Sequence, residues 1–218
     1  MLRNELVLSI FPGIDLLGKA FEEEGYCVVR GPDLLWGGDI HTFHPPAGKF
    51  TGIIGGPPCV GESQLAYLNG NQGYTLWPEA QRVIEEACPA WWILEAVKKH
   101  EAPYVVKLSP RWLGEKQIRK RYFHSNLNIE PYLDIVLFED PERKYSVRAA
   151  NRASGKGTIR RRQASYPFSE MCELQGLPGD FDLPPFKSEY KQIVVGNAVP
   201  LSMGKAIAKA VKRSSGSH

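Results

Sequence analysis

Leu6-Val7-Leu8-Ser9-Ile10-Phe11-Pro12-Gly13-Ile14-Asp15 begins as a nearly unbroken apolar run and ends in turn residues, after which Leu16 to Glu24 carry apolar side chains at helical spacing. The reading is a buried strand, a tight turn and a helix stopped by Gly25. Tyr26-Cys27-Val28-Val29-Arg30 supplies a second strand and Gly31-Pro32-Asp33 breaks it. Phe50 to Ile54 reads as a third buried strand, and Trp77 to Cys88 as a helix with Pro78 in its first turn. Trp91-Trp92-Ile93-Leu94 is a strand ending at Glu95, and Tyr104-Val105-Val106-Lys107-Leu108 continues the series. This rhythm predicts an α/β chain with a Rossmann-like, mostly parallel, doubly wound sheet covered on both faces. Ligands then gather beyond the carboxyl ends of the strands.

From about Ser125 to Pro185 the pattern changes to short strand candidates such as Asp134-Ile135-Val136-Leu137-Phe138, with a polar stretch from Asn151 to Arg162. A small second lobe is therefore expected over 126–187, beside a larger unit over 1–125. A segment over 188–213 returns to the larger unit through a helix from about Leu201 to Lys212, and 214–218 is read as a loose tail. The 218 residues, 43% hydrophobic and 23% charged, suit one core of ordinary size plus a small lobe. No apolar run approaches the roughly 18 residues of a membrane span, and the first residues lack signal-peptide order, so a cytoplasmic protein is expected. The four cysteines, 27, 59, 88 and 172, have no CxxC spacing, which argues for reduced thiols and against a metal site or a disulfide framework. A net charge of +3 is compatible with a nucleic-acid partner without requiring one. Two basic clusters, Lys116 to Arg121 and Lys156 to Arg162, are either surface charge or phosphate contacts.

The residue with the clearest chemical potential is Cys59. Gly55-Gly56-Pro57-Pro58-Cys59 follows the third strand directly, and two glycines with two prolines make a stiff turn that presents one thiol. The alternative is a structural cysteine buried in that turn. Arg119 and Arg121 alternate with Ile118 and Lys120, so in an extended segment both guanidinium groups face one side.

In order, Phe11-Pro12-Gly13, Gly38-Asp39-Ile40, Pro57-Pro58-Cys59, Glu95-Ala96-Val97, Gln117-Ile118-Arg119-Lys120-Arg121, Leu174-Gln175-Gly176 and Gly196-Asn197-Ala198-Val199-Pro200 resemble the motif series of the carbon-5 cytosine-specific DNA methyltransferases, in a compact form of the kind bacteria and phages carry. The resemblance spans residues 6 to 211. It departs from the family at Asp15, where a second glycine is usual, at Val60, where Gln is common, and at Ala96, where Asn is usual.

The resemblance implies the S-adenosylmethionine-dependent methyltransferase fold and that cofactor. Phe11 would lie against the adenine, and Gly13 and Ile14 would seat the amino-acid end. Asp33 would accept from the ribose, Asp39 and Ile40 would hold the adenine edge, and Pro57, Asn197 and Val199 would complete the pocket. For the aspartates the alternative is a turn or cap residue. Cys59 would add to carbon 6 of a cytosine, Glu95 would act at ring nitrogen 3, and Arg119 and Arg121 would bind the carbonyl oxygen and orient the reacting groups. Gln117, Ser63, Lys156, Arg160, Arg161 and Arg162 would contact the nucleic acid, with the target base extruded from the duplex. DNA is the expected partner of a monomeric enzyme. A transfer-RNA methyltransferase and a homologue without catalysis are the competing readings.

Overall fold

A computed structural model of the chain describes residues 5–58, 75–136, 142–147 and 166–216. Strand β1 (Leu6–Ile10) leads through helix α1 (Leu16–Glu23) to β2 (Cys27–Arg30), and β3 (Gly52–Gly55) is followed by α2 (Trp77–Ala87) and β4 (Trp91–Ala96). Then come β5 (Tyr104–Leu108), β6 (Gln117–Ile118), β7 (Arg121–Ser125), β8 (Lys144–Tyr145) and helices α3 (Phe168–Gln175), α4 (Ser188–Asn197) and α5 (Leu201–Ser214). Six strands form one sheet in the order β2-β1-β3-β4-β7-β5. The first four pair in parallel, and β7 runs antiparallel between β4 and β5. The expected mostly parallel α/β sheet is present.

Alternation along the strands divides the core between the two faces. Val7, Ile54, Trp91, Ile93 and Phe123 pack with α1 and α5 through Leu17, Phe21, Met203, Ile207 and Val211. Leu8, Ile10, Ile53, Leu94 and Ala96 pack on the other face with Trp77, Ala80, Val83 and Ala87 of α2. Burying each Leu, Ile, Phe or Val contributes about 1.5–3 kcal/mol, which is why the apolar runs decide the sheet. A third cluster joins Val147, Tyr166, Met171, Cys172, Leu177 and Val195 to Leu16 of α1.

Three segments differ from the sequence reading. The third strand runs Gly52–Gly55, two residues later at its start than Phe50 and one later at its end, and Thr51 bonds through its N–H to Leu6 O of β1 just before it. Of the strand expected over 134–138, residues 134–136 make only a single bridge, Val136 to Leu113, with Ile135 and Val136 exposed; 137 and 138 lie outside the described residues. Instead the 3-10 turn Glu130–Tyr132 and the buried Ile129 pack against the α5 side of the main core, and Asp134 pairs with Arg213. The extended segment from Gln117 to Arg121 is divided, β6 pairing with β8 in a small separate sheet and β7 entering the main one.

The connection from β4 to β5 spans only residues 97–103, and a ring cluster takes the place of a covering helix there. His100 stacks on Trp77 with ring centroids 4.0 Å apart, and the fully buried His124 of β7 meets both edge-on. His124 Nδ1 lies 3.1 Å from Leu94 O, and the backbone N–H of His100 donates to Nε2 at 2.9 Å. One nitrogen must donate and the other accept, so this geometry requires the neutral ring.

Among the described residues the cysteines are free, no helix is long and apolar enough to cross a membrane, and no cluster of His, Cys, Asp or Glu could hold a metal ion.

Two outcomes follow from this packing. A Cβ on Gly52 would stand 2.2 Å from the buried Trp91 ring, so Gly52→Ala is expected to cost about 3 kcal/mol in urea titrations. Burial holds His124 below its ordinary pKa of 6.5, so the unfolded chain binds the extra proton first as pH falls. Stability is therefore full above about pH 6.5 and declines below it, with a slope of up to about 1.4 kcal/mol per pH unit. Thermal melts from pH 8 to 5 should show this decline, and His124→Gln should be less stable at pH 8 with a flatter profile.

Candidate active site

The carboxyl ends of β1, β3 and β4 lie side by side. Gly55 packs so close to β1 that a Cβ there would sit 2.7 Å from Ile10 O, and one on Gly56 would sit 3.3 Å from Glu95 Oε2. The Gly56-Pro57-Pro58 turn therefore passes directly over the Glu95 carboxyl, with Pro57 buried and Pro58 exposed. Leu76 N–H returns to Pro58 O at 3.4 Å. Cys59 and Ser63 lie outside the described residues, as do Lys156, Arg160, Arg161 and Arg162.

Glu95 is buried at the end of β4, and Arg121 Nε of β7 donates to its Oε1 at 2.7 Å. Burial pushes the Glu95 pKa up, and the guanidinium groups of Arg121 and Arg119 only partly offset it. A carboxyl whose pKa is raised by burial while an arginine fixes its orientation is suited to holding a proton on a bound ring.

Arg119 is placed differently from its neighbour. Only 3% exposed, it donates from Nη1 to Val147 O at 2.6 Å and from Nη2 to Gly196 O at 3.0 Å and Ala198 O at 3.5 Å. Burial is the largest cause of its pKa falling to about 9, which still leaves it charged at neutral pH. Gln117 is also buried, donating to Leu174 O at 2.5 Å and accepting from Val147 N–H at 3.3 Å. Both side chains face backbone rather than an open cleft.

At the end of β1, Phe11 and Gly13 both have positive φ, 53° and 56°, and nothing lies within 4 Å of the position a Gly13 Cβ would take. This open cradle fits the amino-acid end of S-adenosylmethionine. Gly13 N–H donates to Asp33 Oδ2 at 2.8 Å, and Asp33 Oδ1 accepts from Leu35 N–H at 2.8 Å, so both oxygens already hold backbone. Asp39 caps the next turn by accepting from His41 N–H at 3.0 Å, while the Ile40 side chain is buried against α2 and its carbonyl accepts from Arg82. Ile14 packs against the cluster around Leu16, Met171 and Val195. Asn197 is exposed at the end of α4, and Val199 is buried in the main core.

Three groups at this site were given no site role from the sequence. Trp36 Nε1 donates to Gly13 O at 2.7 Å, and its ring meets Phe186 edge-on. Asp15, at φ 53°, accepts from Ser9 Oγ at 2.8 Å and Gly18 N–H at 3.0 Å and pairs with Arg30 Nε at 3.0 Å, so its carboxylate itself covers the amino end of α1. Gln175, fully buried, donates to Val195 O at 2.7 Å and Ala198 O at 2.9 Å. The Leu174-Gln175-Gly176 motif was the available signal for the last of these.

No protein-family model matches the sequence, and no curated protein sequence matches it. Solved structures do. The chain is similar to a protein described as a DNA modification methyltransferase encoded within an Escherichia coli prophage, with a TM-score of 0.67, 13% identity, and 97% of this chain and 99% of that one covered. It is also similar to the methyltransferase EhMeth of Entamoeba histolytica, with a TM-score of 0.60, 12% identity and coverage of 96% and 97%. A DNMT2 variant of Spodoptera frugiperda gives 0.60, 13% identity and coverage of 95% and 98%. Over nearly its whole length, the chain has the fold of these methyltransferases.

Proposed function

We propose that the protein is a cytosine-5 methyltransferase acting on DNA, with S-adenosylmethionine as methyl donor. The observation that carries this reading is the Glu95 carboxyl, buried beneath the Gly56-Pro57-Pro58 turn and held by Arg121. A carboxyl group next to a turn that leads into a cysteine is what addition to a pyrimidine ring requires. Carbon 5 of cytosine becomes nucleophilic only after a nucleophile has added at carbon 6.

In this mechanism the Cys59 thiolate forms a bond to carbon 6 of the extruded base. The displaced electron pair moves to ring nitrogen 3, which takes the proton held by Glu95, and burial, by raising the Glu95 pKa, favours the protonated carboxyl. Arg121 orients the carboxyl. S-adenosylmethionine, when bound, supplies the electrophilic methyl group, and Gly13, Asp33, Asn197 and Val199 are the residues assigned to hold it. After carbon 5 is alkylated, its proton passes to a water molecule, the released electron pair restores the carbon 5–carbon 6 double bond, Cys59 leaves as thiolate, and the nitrogen-3 proton returns to Glu95. Lys156, Arg160, Arg161 and Arg162 are assigned to the phosphates of the substrate strand.

Methyl transfer from labelled S-adenosylmethionine, measured in parallel on mixed-sequence duplex DNA and on transfer RNA, tests the reading. Label is expected at carbon 5 of cytosines in DNA. Label in transfer RNA alone would replace DNA by RNA as substrate, and a cofactor-bound protein that labels neither would remove the catalytic reading. Cys59→Ser is expected to slow transfer at least about a thousandfold. Glu95→Gln should slow it by about 10²–10⁴. In the parent, kcat falls on the alkaline side as Glu95 loses its proton, and a pH–rate profile of Glu95→Gln should lack that limb.

A further inference from the structure

Helix α4 ends without a glycine cap: Ala198, in extended backbone, follows Asn197 and its N–H returns to Val195 O at 3.3 Å, which leaves the other carbonyls of the last turn without a backbone donor and Val195 O with room for a second. Side chains from distant segments take them. Gln175 donates to Val195 O and Ala198 O, and Arg119 donates to Gly196 O and Ala198 O. The same Arg119 reaches Val147 O, and Gln117 bridges Val147 N–H to Leu174 O. All three side chains are at most 3% exposed. A guanidinium at the negative end of a helix is well placed electrostatically, and its Nη bonds to carbonyls partly offset the cost of burying its charge, while Nε has no hydrogen-bond partner among the described residues. Asn197, between two gripped residues, is left exposed.

From this geometry we infer that Gln117, Arg119 and Gln175 form a clamp that fixes the Asn197-to-Val199 turn against Val147 and Leu174, which makes Arg119 a positioning residue for cofactor binding rather than a contact to the base. The inference rests on the methyltransferase reading, since it takes that turn as part of the cofactor site. It separates the two arginines by role: Arg121 touches the reacting carboxyl, and Arg119 acts through the turn. Removing one or two buried hydrogen bonds at the clamp is expected to weaken S-adenosylmethionine binding by about tenfold.

The test uses the full chain with Arg119→Met, Arg119→Lys and Gln175→Leu. Thermal melts check folding, calorimetry gives S-adenosylmethionine affinity, and amide exchange over residues 197–203 reads the turn without cofactor. Single-turnover transfer at saturating cofactor reads the chemistry. The clamp predicts cofactor binding about tenfold weaker in Arg119→Met and Gln175→Leu, faster exchange over the turn, transfer within about threefold of the parent, and partial recovery in Arg119→Lys. If Arg119→Met does not fold, Gln175→Leu carries the test, since it leaves both arginines in place. Unchanged affinity in Gln175→Leu, or a hundredfold loss of transfer at saturating cofactor with unchanged affinity in Arg119→Met, overturns the inference. A parent that binds no S-adenosylmethionine overturns the cofactor reading and the inference together, whereas a parent that binds it as well as its variants do overturns the inference alone.

Discussion

The 2.7 Å contact between Arg121 Nε and Glu95 Oε1 exists because β7 runs backwards through an otherwise parallel sheet. Glu95 pairs with Phe123, and side chains two apart on a strand share a face, so Arg121 is delivered to the same side of the sheet as Glu95. That side is the one covered by α1 and α5. Burial there raises the proton affinity of the carboxyl, while the arginine fixes its direction. Neither effect would arise at a solvated strand end, where water would screen the pair and leave the carboxyl near its ordinary pKa.

The sheet was legible because its signal is local. Five-residue apolar runs bounded by Gly and Pro encode both burial and alternation, as at Leu6–Ile10 and Tyr104–Leu108. Glu95 was legible for the same reason, as a lone carboxylate closing an apolar strand. The role of Arg119 was not, since a buried arginine and a solvated one look alike in sequence. Its partners Val147, Gly196 and Ala198 lie 28, 77 and 79 residues away. The antiparallel β7 was hidden by the polar Tyr122 and His124, whose partners come from across the sheet. Asp33 stood between ribose ligand and turn residue, and its two backbone contacts show the turn function in place.

The departures from the family pattern have different physical consequences. Asp15 occupies a left-handed position that glycine adopts without strain. Its bonds to Ser9, Gly18 and Arg30 hold that conformation and satisfy the start of α1 from within the chain. Ala96 is buried against α2, where a larger polar side chain would need both space and partners. Nothing in the described residues explains Val60.

Helix α5 is made from residues 201–214, yet with α1 it covers the sheet face that carries Trp91, Ile93 and Glu95. Gly204 comes so close to α1 that a Cβ would meet Ala20 Cβ at 2.9 Å, and Lys212 holds Glu24 O. The first two-thirds of the polypeptide thus exposes an apolar sheet face until this helix has been synthesised. A nascent chain must keep that surface from self-association between the synthesis of the last main-sheet strand at Ser125 and that of Leu201, and the Glu95 carboxyl gains its dry setting only when this helix docks.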